Sequence, residues 1–190
     1  RALREVRAKS VRCTSFSIAN NKVAQVGDTM LVHLSVMNYL DPTAALKLKL
    51  TSTSPFIKVL DDNELSIGAM GTLTSRNNHN KPFRFIVLAD APHNAQATFR
   101  VGFSDAAYQD FQYFQLPVNP DYLSLTANNL HITLNSKGNL GYNGYNFGQG
   151  IGVTYKGSTS LLFEGGLLVA TAPDRVSDNV RNASWQTDND

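Results

Sequence analysis

From Met30 onward, apolar and polar side chains alternate with the two-residue period of a β-strand. In TMLVHLSVMN, Met30, Val32, Leu34 and Val36 point one way, and His33, Ser35 and Met37 the other. ALKLKLTS repeats the pattern, with Leu46, Leu48 and Leu50 facing a core and Lys47 and Lys49 facing water. RFIVLAD, ATFRVGFSD and FQYFQLPV follow, and Phe83, Phe85, Val87, Phe99, Val101 and Phe103 supply aromatic and branched bulk. Turn-forming stretches separate these runs: NNKVAQVGD, NYLDP, SRNNHNKP and ADAPHN. No amphipathic helix of three turns lies between them. Short strands joined by turns, without crossover helices, predict an all-β fold: an immunoglobulin-like antiparallel β-sandwich.

The texture changes at VNPDYL. Beyond Pro120 the chain becomes rich in Gly and Asn, as in GNLGYNGYNFGQGIG. This predicts a sandwich over residues 1–118 and a second, smaller β-rich unit over 119–181, with a polar tail over 182–190. Residues 1–9 read as a linker or the end of a preceding domain. In the second unit Leu130, Ile132 and Leu134 alternate, as do Ile151, Val153 and Tyr155, and Asn143-Gly144 is a hairpin signal.

The run SLLFEGGLLVA is too short for a membrane helix and carries Glu164, so no membrane span is expected. It reads instead as buried strand, with Leu161, Leu162, Phe163, Leu167, Leu168 and Val169 interior and Gly165-Gly166 as a bulge or kink. Glu164 then turns toward water or pairs with Arg175 or Arg181, because an unpaired buried carboxylate is costly.

Of the 190 residues 42% are hydrophobic and 17% charged, which describes a globular chain with a real core. The net charge of +2 comes from 17 basic and 15 acidic side chains, and the surplus gathers at Arg1, Arg4, Arg7, Lys9 and Arg12. No basic stripe interleaved with aromatics follows, so nucleic acid is not an expected partner. One cysteine, Cys13, excludes an internal disulfide and reads as a small buried hydrophobe rather than a nucleophile. The start at Arg1, with neither an initiator Met nor a signal peptide, is that of an excised or processed piece.

Candidate chemistry is sparse. GQGIG lacks the spacing of a phosphate loop, and there is no GxSxG. The histidines His33, His79, His93 and His131 form no HExxH and no pair three or four apart, leaving metal ligation only to residues the fold brings together. Asp61, Asp62, Asn63 and Glu64 cluster oxygen ligands suited to Ca²⁺, against the competing reading of a polar turn between strands. No other cofactor is indicated. Tyr142, Tyr145, Phe147 and Tyr155, set among Asn and Gly, are candidates to present rings and amides to a sugar, or else to pack a small β unit.

The order of segments VGDTMLVHLSVMNYL, LTSTSPFIKVLDD, FRFIVLADAPHNAQATFRVGFSD, FQYFQLPVNPDYL, GNLGY, GQGIGVTY and LLFEGGLLVA with VSDNVR resembles a region of large secreted subtilisin-like peptidases of Bacteroidetes. The resemblance runs from about Ser15 to Arg181. There the region lies downstream of the catalytic domain, often ahead of a sorting domain used in type IX secretion. The resemblance implies a secreted or cell-surface, non-catalytic accessory module that spaces or supports a serine-peptidase domain in the same polypeptide. No residue here matches the Asp, His or Ser motifs of that domain, so no catalytic residue carries over. The alternative class is an extracellular binding module for glycan or a surface protein.

Overall fold

The computed structural model describes residues 8–60, 63–136, 138, 140, 152–162, 165–166 and 168–178. The fold is all-β. Among the described residues the first unit has the strands β1 Val11–Ile18, β2 Thr29–Asn38, β3 Thr43–Ser52, β4 Ile57–Val59, β5 Glu64–Met70, β6 Thr74–Asn77, β7 Phe83–Val87, β8 Ala95–Asp105 and β9 Tyr108–Val118. The described strands that follow are β10 Tyr122–Ala127, β11 Leu130–Asn135, β12 Val153–Tyr155, β13 Leu168–Ala172 and β14 Arg175–Asp178. Contacts divide the chain between Pro120 and Asp121.

The first unit is an immunoglobulin-like antiparallel sandwich. One sheet runs β1-β2-β7-β4, with β6 also on β2, and the other runs β5-β3-β8-β9. The alternating residues interdigitate between them: Met30, Val32, Leu34, Val36, Phe83, Phe85 and Val87 from one sheet, and Leu46, Leu48, Leu50, Ala97, Phe99, Val101 and Phe103 from the other, all buried. Each side chain removed from water contributes about 1.5–3 kcal/mol, which fixes the register of every strand that carries such a face.

Buried polar side chains close the places where the ladders fail. Strands β6 and β7 both pair with β2, on either side of a gap opposite His33 and Leu34. Asn78 fills it: its Oδ1 accepts from Leu34 N at 2.7 Å and its Nδ2 donates to Val32 O at 3.1 Å, replacing two missing ladder bonds. Asn38 Nδ2 donates to Asp41 O at 3.0 Å and Gly71 O at 3.2 Å, tying two turns to the end of β2. Asn119 holds a left-handed φ of 50°, a conformation asparagine tolerates, while its Nδ2 donates to Ala91 O at 2.8 Å. Its backbone N–H also donates to Ala24 O at 2.7 Å, so the last residues of this unit are clipped to it.

The seam between edge strands β1 and β9 is closed by side chains. Val11 N donates to Tyr108 Oη, Cys13 N to Gln112 Oε1, and Arg12 pairs with Asp110. Cys13 itself is buried, its thiol 3.0 Å from Ser15 O where β1 bulges. Burial pushes that thiol up to about 11. It should therefore resist alkylation by iodoacetamide at pH 8 in the native protein and react promptly in guanidinium. Rapid native-state labelling would contradict its placement.

The second unit is a three-stranded sheet, β10-β11-β12, and a hairpin, β13-β14. Leu123, Leu125, Leu130, Ile132, Leu134, Val153 and Tyr155 share one face by register, and Leu123 stays 59% exposed. The expectation of an interior apolar run is corrected here. Leu161 is 65% and Val169 50% exposed, and Val169 lies on a two-stranded ribbon that pairs with no other described strand. Leu162 is half-buried, and Phe163, Glu164 and Leu167 lie outside the described residues. At Gly165 an added Cβ would come within 2.8 Å of Leu162 Cδ2, a side-chain neighbour.

Candidate functional site: an aromatic face on the outer sheet

Strand β9 carries aromatics on both of its faces. Phe114 turns inward and stacks on Phe16 with ring centroids 4.7 Å apart. Phe111 and Tyr113 turn outward, 47% and 56% exposed, with their rings 5.5 Å apart in an edge-to-face arrangement. Register sets Tyr113 opposite Arg100 and Phe111 opposite Gly102 on β8. Because Gly102 has no side chain, Arg100 lies across, its guanidinium 4.4 Å from the centre of the Phe111 ring. Gln109 and Gln115 flank the two rings on the same outward row and are exposed.

This face combines apolar rings, one cation and two amides on a rigid, fully packed sheet. Rings of this kind bury large areas at small entropic cost, and the guanidinium supplies directional donors.

Asn63 and Glu64, singled out from the sequence, lie on another part of the sandwich. Glu64 begins β5 and pairs with Lys47 Nζ at 3.0 Å across the sheet, while Asn63 O accepts from Leu50 N at 2.8 Å. Asp61 and Asp62 lie outside the described residues, as do Tyr142, Tyr145 and Phe147. Tyr155 sits on β12, 49% exposed, with Lys156 Nζ 5.3 Å from its ring centre. Among the described residues, no group of three or more His, Cys, Asp or Glu is placed to hold a metal ion. Phe111 and Tyr113 were legible as a signal: FQYFQLPV places aromatics on both phases of one strand, so one ring set had to face outward.

No family model and no curated protein matches the chain. The solved structures with partial similarity to the chain include two of low identity. One is native α2-macroglobulin from Escherichia coli, spanning domain MG7 to the C-terminus, at 15% identity and a TM-score of 0.45, covering 62% of this chain and 18% of that one. The other is the CsuC–CsuE chaperone–tip adhesion subunit complex of Acinetobacter baumannii Csu pili, at 8% identity and a TM-score of 0.27, covering 77% of this chain and 89% of that one. The fold defines a β-sandwich module, and the outer sheet exposes Phe111 and Tyr113. Among the described residues no helix is long and apolar enough to cross a membrane.

Proposed function

We propose that this chain is a non-catalytic accessory module of a larger secreted protein, and that it contacts its neighbour through the Arg100–Phe111–Tyr113 face. The observation that carries this reading is the outward aromatic pair on a sheet whose inner face already packs against the other sheet. The rings contribute little to the fold, since exposed cross-strand pairs are worth about 0.2–1 kcal/mol. A solvent-facing pair of large rings is a common mark of an interface. The resemblance to the region downstream of subtilisin-like catalytic domains supports a peptidase domain of the same polypeptide as that neighbour. In this role the sandwich acts as a rigid spacer and lends its outer face to the catalytic domain.

The second reading, a glycan-binding module, is favoured by the amides of Gln109 and Gln115 beside the same rings. Sugars present an apolar face to aromatic rings and hydroxyls to flanking donors and acceptors.

One double variant serves both readings. Phe111→Ala/Tyr113→Ala should leave the circular dichroism spectrum unchanged and lower stability by less than about 2 kcal/mol. In the full-length secreted protein, hydrogen exchange along β8 and β9 should be slow in the wild type and accelerate in the variant. Equal exchange in the isolated chain and the full-length protein would refute docking to a neighbour. Retention of the wild-type chain, but not the variant, on insoluble polysaccharide would select the glycan reading.

A further inference from the structure

The opposite sheet carries a second arrangement, built from two histidines far apart in the sequence. His33 points outward from β2, and His79 lies in the turn between β6 and β7; their ring centroids are 4.5 Å apart. The residue next to each explains the meeting. Asn78 is buried and bonds Leu34 N and Val32 O, the two residues that flank His33. Its backbone N–H also donates to Leu34 O at 3.2 Å. The turn is thus clamped to β2 at three points around His33, and Asn77 Oδ1 accepts from His79 N at 3.2 Å. Both imidazoles are brought together by backbone that is held in place.

We infer that His33 and His79 form a surface site for a late first-row divalent metal ion such as Cu²⁺, Ni²⁺ or Zn²⁺. Imidazole is a preferred ligand of all three. With metal–nitrogen bonds of about 2.0–2.1 Å, two imidazoles in adjacent coordination positions set their ring centres roughly 4.5–5 Å apart. The observed separation matches, and the broad χ2 torsion of histidine leaves each ring free to reorient. Among the described residues neither ring is committed to a hydrogen bond, whereas His131 Nδ1 is 2.9 Å from Thr126 Oγ1. No third His, Cys, Asp or Glu among the described residues completes the set. The remaining positions therefore stay open to water or to a ligand from another molecule, as in sites that exchange ligands. His33 is half-buried and His79 exposed, so an ion reaches them from solvent.

Calorimetric titration of the untagged 190-residue chain with CuCl₂, NiCl₂ and ZnCl₂ tests the site. One ion should bind per chain, Cu²⁺ most tightly, and the melting temperature should rise with metal concentration. His33→Gln and His79→Gln should each weaken Cu²⁺ binding by about tenfold or more, while His93→Gln and His131→Gln leave it unchanged. Electron paramagnetic resonance of the Cu²⁺ form should show two equatorial imidazole nitrogens, reduced to one in either variant. Absence of binding, binding that survives loss of either histidine, or a wild-type Cu²⁺ spectrum without imidazole coupling would each overturn the assignment. That spectrum decides the matter even if a variant fails to fold.

Discussion

Replacing Asp105 by alanine should destabilise the sandwich by about 3–5 kcal/mol. Its side chain is 1% exposed and accepts from Lys9 Nζ, from Ala45 N at 2.8 Å and from Ala44 N at 3.2 Å. It thereby joins the segment before β1 and the start of β3 to the tip of the β8–β9 hairpin. Alanine would leave two backbone N–H groups and an ammonium without their acceptor. The same hairpin holds Ala106 at φ 51°, a left-handed conformation that disfavours a Cβ and that these bonds help to maintain. The bond from Lys9, followed by those from Ala45 and Ala44, outweighs burial and lowers the Asp105 carboxyl below its ordinary range. A lowered carboxyl stabilises the fold above the unfolded-state value of about 3.9 and loses that contribution as pH falls through the folded-state value. Urea midpoints should therefore decline below about pH 4 in the wild type, and more shallowly in Asp105→Asn. An alanine variant within 1 kcal/mol of wild type would show that the carboxylate is not holding these elements together.

Phe99→Ala should cost about 3–5 kcal/mol, the range for a large aromatic removed from a packed interior. The Phe99 ring lies 4.8 Å from Phe85 across the two sheets and 5.6 Å from Phe16. Phe16 in turn stacks on Phe114, so four rings from β1, β7, β8 and β9 form one connected cluster. Removing the central ring opens a cavity that neighbours on four strands cannot all collapse into. Denaturant unfolding should show a lower midpoint with an unchanged slope, since the folded architecture persists. A loss below 1 kcal/mol would mean that the two sheets do not meet through this ring.

Much of the sandwich was legible because its strands are buried on one face only. Leu46, Leu48 and Leu50 lie between exposed lysines, and a period of two admits a single assignment of faces. Strand β9 resisted the same reasoning. Phe111 and Tyr113 occupy one phase, and Gln112, Phe114 and Leu116 the other, so hydrophobicity does not rank the faces. Gln112 faces inward because its amide oxygen serves Cys13 N on the neighbouring strand edge, a demand visible only once β1 and β9 lie side by side. The apolar run around Leu161 and Val169 misled for the opposite reason. Hydrophobicity records a capacity for burial, and among the described residues Val169 on the β13–β14 ribbon stays half exposed.

The order of side chains along the chain determined, by itself, the strand class, the inward set of the sandwich and the change of texture near Asn119, since each follows from spacing between near neighbours. The absence of a disulfide followed from the single Cys13. The tertiary structure alone decided which distant residues meet: Asn78 filling the gap beside β2, Asp105 receiving Lys9, Arg100 crossing to Phe111, and His33 facing His79. Those meetings depend on sheet order and register, which are set by the cooperative burial of the whole core, and no local pattern encodes them.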